Sequence, residues 1–409
     1  MTAAPQRSPQ PLAIAIVAAE ESGDALGAAL ARALVKAEST VQLSGVGGGA
    51  MRAAGIESPF PIDELAIIGL TAIPRRLPAI LRHIREAADA IVKARPHALV
   101  IIDSPDFTHR VARQVRRRAP EIPILDYVSP SVWAWRPGRA RAMRGYIDHV
   151  LAILPFEPAA HRRLGGPPCT YVGHPLVERI ADLRPGPDEA ARRLAEPLLI
   201  LILPGSRSSE VSRHTRVFGA AIERLCARIG PIELVLPTVS HVERQVREAV
   251  AGWAVQPKII VEGSEKWAAF RRARAALAAS GTVTLELALS GIPMVAAYRL
   301  HSIEAVVARA IRLRARLPSV ILANLVIGEN VVSELLQEDC TPEKLADALA
   351  AVVGDTEQRR RQIEGFQRLA RIMGIGGTAP SAKAADLVLE AARLGRHGVS
   401  ALIEARSSG

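Results

Sequence analysis

Short aliphatic runs alternate with longer amphipathic stretches along most of the chain. Leu12–Ala18 is the first run, followed by the polar turn Ala19–Asp24 and a helical pattern carrying Leu26, Leu30 and Leu34. Val41–Val46, Ala98–Ile102, Ile124–Val128, Val150–Leu154 and Thr170–Val172 read as further strands, with an arginine-rich helical pattern at Thr108–Ala119. A second series falls at Leu198–Leu203, Ile232–Leu236, Lys258–Val261, Ala275–Ala278 and Met294–Ala297. Continuous apolar runs of this length suit strands buried on both faces, and their alternation with helices predicts parallel sheets. Thr341–Val353 reads as an amphipathic helix capped by Thr341 with Pro342 in its first turn, and Pro380–Leu394 as a terminal helix. The expected fold class is α/β: two Rossmann-like, doubly wound domains facing across a cleft. The first spans residues 1–180 and the second 198–360, joined by a linker at 181–197 that is rich in Pro, Gly and charge. Residues 361–409 are expected to form helices that pack back on the N-terminal domain.

Composition narrows the function classes. At 409 residues and 49% hydrophobic content the chain can bury two cores. Lys and Arg number 52 against 41 Asp and Glu, a net charge of +11, which favours an anionic partner. An aromatic share of 3% argues against a stacking platform for single strands, and no recognition motif is present, so no nucleic acid is expected. Cys169, Cys226 and Cys340 lie far apart without metal-ligand spacing, which suggests structural thiols in a reducing compartment. The apolar segment Ala275–Tyr298 is broken by Ser280-Gly281-Thr282 and Gly291-Ile292-Pro293, so it reads as strand, turn, helix, turn and strand rather than a membrane span.

Chemistry concentrates where strands end. Leu198–Leu203 runs into Pro204-Gly205-Ser206-Arg207, and Ser208, Ser209 and Glu210 open a helix. Such a turn is either an ordinary connection or an anion site, since free N–H groups and the helix dipole point outward. Arg207 adds a two-pronged positive charge suited to phosphate. Ser280-Gly281-Thr282 repeats the design, and Glu286, one turn into the next helix, can take a ribose hydroxyl pair. Gly45–Ala50 fits the G-x-G-x-x-A dinucleotide pattern but ends the second strand instead of the first, so close backbone approach is the better reading. Ala98–Ile102 delivers Asp103 and Asp106 to the carboxyl edge of its sheet; Asp103 reads as a general base or a helix cap, Asp106 as the better cap. Trp133 and Trp135 share a loop that suggests a pocket wall. Ile67, Ile68, Leu70 and Leu77 sit among arginines in Pro61–Ile84, a segment that suits either the core or a contact with acyl chains or a bilayer. P-loop, zincin, C-x-x-C and G-x-S-x-G motifs are all missing. No metal and no other cofactor is expected, because Arg207, helix N-termini and amides can stabilise a leaving diphosphate.

Several stretches then resemble the lipid-A-disaccharide synthase family, glycosyltransferases of GT-B architecture. They are AAEESGDALGA at Ala18–Ala28, GVGGGAM at Gly45–Met51, IIDSPDF at Ile101–Phe107, YVSPSVWAWRPGR at Tyr127–Arg139, LPFE at Leu154–Glu157 and VGHPL at Val172–Leu176. LPGSRSSEV at Leu203–Val211, SGTVTLE at Ser280–Glu286, PMVAAYR at Pro293–Arg299 and the stretch Asn324–Ala346 continue the match. The chain departs from the family pattern at Ala19, Glu21 and Ala323. The resemblance implies an inverting transfer from UDP-2,3-diacylglucosamine to the 6-hydroxyl of 2,3-diacylglucosamine 1-phosphate, giving a β-1,6 disaccharide and UDP. It implies Asp103 as base, Gly205, Ser206, Arg207, Ser280, Gly281, Thr282, Glu286 and Asn324 at the nucleotide sugar, and Glu20, Ser22 and Gly23 lining the cleft. It gives the Ile67–Leu81 stretch an acyl or membrane purpose, at the cytoplasmic face of an anionic inner-membrane surface. A homodimer is left open. The alternative within the same architecture is another UDP-sugar enzyme, an N-acetylglucosaminyltransferase or a 2-epimerase.

Overall fold

The apolar runs become the strands of two parallel sheets. The computed structural model describes residues 11–65, 73–261, 263–300 and 318–407, with backbone alone for 63, 64, 73–77, 397 and 399–407. Ile67, Ile68 and Leu70 therefore lie outside the described residues, as does the side chain of Leu77. The chain divides into two units, Met1–Pro175 with Gly376–Gly409, and Leu176–Ile375.

In the first unit β1 (Ala13–Ala18), β2 (Gln42–Val46), β3 (Ala98–Ile102), β4 (Ile124–Tyr127), β5 (His149–Ala152) and β6 (Cys169–Tyr171) form one sheet in the order β2-β1-β3-β4-β5-β6. Every neighbouring pair is parallel. Alternate strand residues serve opposite faces, as the period of two requires. Ala15, Val17, Leu99 and Ile101 pack with Ile84 and Ile91 of helix Ile73–Ala94 and Val111 and Val115 of helix Thr108–Arg118. Ile14, Ile16, Val100 and Ile102 pack on the other face with Leu30 and Leu34 of helix Glu21–Ala37, and with Ala385 and Val388 of helix Pro380–Ser407.

The second unit holds β7 (Leu198–Leu203), β8 (Ile232–Thr238), β9 (Lys258–Val261), β10 (Ala275–Ala279), β11 (Met294–Tyr298) and β12 (Ser333–Leu336), ordered β12-β11-β10-β7-β8-β9. Counted from its own first strand this is the 3-2-1-4-5-6 order of dinucleotide-binding folds, read from the other edge. One face packs on helices Ser208–Ile229, Glu243–Val250 and Pro342–Val353. The last of these has the cap read from its sequence, Thr341 Oγ1 accepting from Lys344 N at 3.3 Å. β12 was not expected: it is a short, half-buried edge strand with little apolar signal.

Two boundaries differ from the sequence expectation. Residues 181–197 are not a free linker but belong to the second unit, with helices Ile180–Leu183 and Pro187–Arg192. Arg193 ties them down by donating to the carbonyls of Phe270, Arg271, Ser290 and Gly291 at 2.8–3.3 Å. Helix Glu357–Ile372 also belongs to the second unit. Its buried Gln362 accepts from Met294 N at 2.8 Å and donates to Met294 O at 2.9 Å, completing the backbone hydrogen bonding of β11.

Gly45 shows why the glycine-rich stretch is not a dinucleotide turn. Its φ is +148°, and a Cβ there would lie 1.8 Å from Ile16 O on the paired strand. Gly45→Ala should therefore lower stability by about 3 kcal/mol or more in urea unfolding. A loss below about 1 kcal/mol would mean that β2 can shift away from β1 at little cost.

Candidate active site

A doubly wound sheet binds ligands at the carboxyl ends of its strands, where the winding reverses. In the first unit that point lies between β1 and β3, whose last residues Ala18 and Ile102 are register partners. Glu20, Ser22 and Gly23 follow β1, and Asp103 follows β3, so the sequence-predicted residues of this unit converge there. Gly23 is buried, and a Cβ on it would lie 3.4 Å from Ile102 O; Glu20 and Ser22 are exposed.

Asp103 and Ser104 both have left-handed backbones, with φ of +48° and +43°. Asp103 N donates to Tyr127 O at 3.2 Å, Thr108 Oγ1 donates to Asp103 O at 2.5 Å, and Phe107 N and Thr108 N donate to Ser104 O at 2.9 and 3.0 Å. Strain held by several bonds at a sheet's carboxyl edge is a mark of a working position. Burial pushes the Asp103 carboxyl above the ordinary aspartate range, and the charges of Glu20 and Asp126 add to the push. Asp106 does not cap the next helix: it is exposed, 3.7 Å from Arg139, and Phe107 stands at the cap position.

The reversal of the second sheet lies between β7 and β10, where Leu203 and Ala278 are partners. Residues 204–207 leave β7 and residues 280–282 leave β10, so the two expected phosphate turns are neighbours. They differ in one respect. The N–H groups of Ser206 and Arg207 do not face solvent but donate to Glu210 Oε2 at 3.1 and 3.3 Å. Gly205, at φ +116°, is needed because a Cβ would lie 2.4 Å from that same oxygen. His214 braces the turn: its Nδ1 bonds Pro204 O at 2.8 Å and its Nε2 accepts from Arg299 N at 3.1 Å. Burial holds this imidazole below the ordinary histidine range, consistent with the neutral tautomer those bonds demand. What the turn offers outward is the Arg207 side chain, 78% exposed.

At residues 280–282 the amides of Gly281 and Thr282 have no acceptor among the described residues, both residues are exposed, and a Cβ on Gly281 would meet open space. Glu286, in helix Val283–Leu289, is mostly buried and accepts from Lys266 Nζ at 2.9 Å through Oε2. Asn324, expected at the nucleotide sugar, is 2% exposed and bonds the backbone of Val331 and Val332 and the Glu334 carboxylate, bracing the approach to β12.

A buried polar set lies behind β4 and β5 that motif reading passed over. Asp126, fully buried in β4, has His109 Nε2 3.2 Å from its Oδ2, and His109 Nδ1 is 3.0 Å from Tyr146 Oη. Ser129 Oγ and His161 Nε2 share a 2.7 Å hydrogen bond. Glu157 accepts from Leu154 N at 3.0 Å and from Trp133 Nε1 at 3.3 Å, anchoring the tryptophan loop. The available signal was a charged residue inside the otherwise apolar strand of Asp126. Burial pushes all three cysteine thiols up, so none is poised to react. No three His, Cys, Asp or Glu side chains group as a metal site among the described residues.

Two parallel, doubly wound units with functional groups at both reversal points define the two-domain class to which GT-B glycosyltransferases belong. The glycotransferase of kitacinnamycin has this fold, with a TM-score of 0.63 at 18% identity over 94% of this chain and 99% of its own. So has a UDP-GlcNAc 2-epimerase from Neisseria meningitidis bound to UDP-GlcNAc, with a TM-score of 0.56 at 11% identity over 93% and 98%. At such identities the likeness shows the fold alone. The chain itself belongs to the lipid-A-disaccharide synthetase family, whose model matches residues 14–386. A lipid-A-disaccharide synthase of Bradyrhizobium diazoefficiens is 60% identical over 384 residues, covering 94% of this chain and 97% of its own. The activity is synthesis of the lipid A disaccharide, a glycosyl transfer, and the epimerase alternative is left at the level of fold.

Burial raises the Glu157 carboxyl from 4.5 to about 7. The folded state then holds a proton that the unfolded chain releases, so stability falls as pH rises from about 4.5 to about 7, by on the order of 3 kcal/mol. Melting temperatures across that window should show Glu157→Gln losing this part of the slope, whatever its absolute stability. An unchanged slope would mean that Glu157 ionises normally.

Proposed function

We propose that Asp103 is the general base of the transfer, and that the donor is UDP-2,3-diacylglucosamine and the acceptor 2,3-diacylglucosamine 1-phosphate. Asp103 removes the proton from the acceptor 6-hydroxyl as that oxygen forms its bond to the anomeric carbon. The bond from that carbon to the diphosphate oxygen breaks, and its electron pair leaves with UDP. A single displacement inverts the α-linked donor to a β-1,6 disaccharide. The Arg207 guanidinium neutralises the leaving diphosphate, the amides of Gly281 and Thr282 beside Ser280 donate to it, and Glu286 takes the ribose hydroxyls through the oxygen that Lys266 leaves free. Glu20 keeps the Asp103 carboxyl basic, and Ser22 and Gly23, at the start of helix Glu21–Ala37, leave room for the acceptor. Both substrates carry acyl chains. The reading therefore includes work at the cytoplasmic face of an anionic inner membrane, and it assigns contact with the acyl chains to Ile67, Ile68, Leu70 and Leu77. Among the described residues no helix is long and apolar enough to cross a membrane.

The observation that carries this reading is the conformation of Asp103, a half-buried carboxylate of raised pKa held at φ +48° at the sheet reversal. The direct test incubates the protein with both acylated sugars and looks by mass spectrometry for the tetraacyl disaccharide phosphate and UDP; UDP binding without product would send the search to other UDP-sugars.

Asp103→Asn keeps a residue type that tolerates the left-handed backbone. It should lower kcat by roughly 10²–10⁴ while UDP-sugar affinity holds. In the wild type, the base limits kcat/KM on the acid side, with a midpoint above the ordinary aspartate value of 3.8, and that limb should vanish in the variant. Full turnover by the variant would end the assignment. Arg207→Ala should weaken UDP binding by roughly ten- to a hundredfold, as for loss of a charge-assisted hydrogen bond, and an unchanged Kd counts against its role.

A further inference from the structure

A groove of about 430 Å³ lies on the first unit, lined by none of the residues proposed for the transfer. Its floor and rim are Leu81 and Ile84 of helix Ile73–Ala94, Arg110, Arg113 and Arg117 of helix Thr108–Arg118, and Tyr146. The three arginines stand at positions i, i+3 and i+7, one face of the helix, and span about 10 Å. All three are exposed.

Among the described residues none of the three pairs with a carboxylate. Helix Thr108–Arg118 contains no acidic residue. The acids of helix Ile73–Ala94 are engaged elsewhere, Glu86 with His83 and Arg82, and Asp89 with Arg118. Asp148, beyond Tyr146, is held by Arg116 and Arg396. Arg113 is fixed in place without being neutralised: its guanidinium lies 4.4 Å above the Tyr146 ring and donates to Tyr146 Oη at 3.0 Å. Between these charges Leu81 is 37% exposed, beside the buried Ile84.

Fixed cations over an apolar floor suit an amphiphile with an anionic head. A nucleic acid would match the charge but find no ring to stack on, because Tyr146 is buried under Arg113 and against His109. We propose that this groove docks the phosphate-bearing headgroup of an anionic phospholipid in a bilayer leaflet, Arg110, Arg113 and Arg117 taking the phosphate and Leu81 meeting the start of an acyl chain. This rests on the reading that the enzyme works at a lipid surface.

The test compares binding of the full chain to phosphatidylcholine vesicles with and without phosphatidylglycerol, at physiological ionic strength. Arg110→Ala/Arg117→Ala should lose roughly thirtyfold in partitioning to the anionic vesicles, the loss expected for two arginines at a headgroup surface. Arg110→Lys/Arg117→Lys should retain most of the binding. A charge-matched control, Arg162→Ala/Arg163→Ala in helix Glu157–Leu164, should lose far less. All variants should keep wild-type turnover on substrates dispersed in detergent, which reports an intact fold. Equal losses in the test and control variants would assign the binding to net charge and overturn the site. Undiminished binding by the test variant would overturn the groove while leaving the membrane reading standing. If the wild-type protein ignores anionic vesicles altogether, both fall. Duplex DNA binding that depends on Arg110 and Arg117 at the same ionic strength would assign the groove to a different polyanion and overturn the proposal.

Discussion

A parallel sheet has to be covered on both faces, so the chain must switch faces, and in each unit two adjacent strands send it to opposite faces. From β1 the chain runs into helix Glu21–Ala37 on one face, while from the adjacent β3 it runs into helix Thr108–Arg118 on the other. In the second unit β7 feeds helix Ser208–Ile229, and β10 feeds helix Val283–Leu289, which packs with helices Leu322–Ile327 and Glu357–Ile372. Loops that diverge from neighbouring strands leave a crevice with backbone ends and side chains unshielded. The residues proposed for the transfer stand at these two crevices, where the packing leaves them room.

Room alone does not orient a group. The left-handed backbones of Asp103 and Ser104 cost on the order of 1–2 kcal/mol each. They persist because Tyr127, Thr108 and Phe107 hold both residues by backbone and hydroxyl bonds. Ser104 Oγ is buried with no partner among the described residues, a further sign that local comfort yields to placing the carboxylate. Val128, a β-branched residue at φ +80°, repeats the pattern at the end of β4, where the tryptophan loop begins.

Strands were legible because burial on both faces writes an unbroken apolar run, and the reversal points followed from which strands ended in small or acidic residues. The state of the turns was not legible. Asp24 accepts from the amides of Gly48, Ala50 and Met51 at 2.7–3.0 Å, and Glu210 does the same for Ser206 and Arg207, so each unit closes a glycine-bearing turn with a carboxylate of its own. A motif shows that amides are present but not which anion they already hold. The bracing role of Asn324 was not legible for a similar reason: one sequence does not show its four hydrogen bonds to Val331, Val332 and Glu334. Arg193, whose guanidinium stitches four carbonyls together, made a firm strap out of a composition that reads as linker.

The last helix belongs to the first sheet, and this sets an order on biosynthesis. Ala384, Ala385, Val388 and Leu389 share a core with Ile14, Ile16 and Leu30, so one face of β1 is covered only in part, by helix Glu21–Ala37, until more than 350 later residues have been made. The second unit, contiguous from Leu176 to Ile375, has its whole core available first. A ribosome therefore releases a finished second unit beside an unfinished first one. In that interval the first unit, with its partly exposed aliphatic face, is the part that depends on chaperone shelter, and a chain stopped before residue 380 would bury the core of its second unit normally while its first unit aggregates.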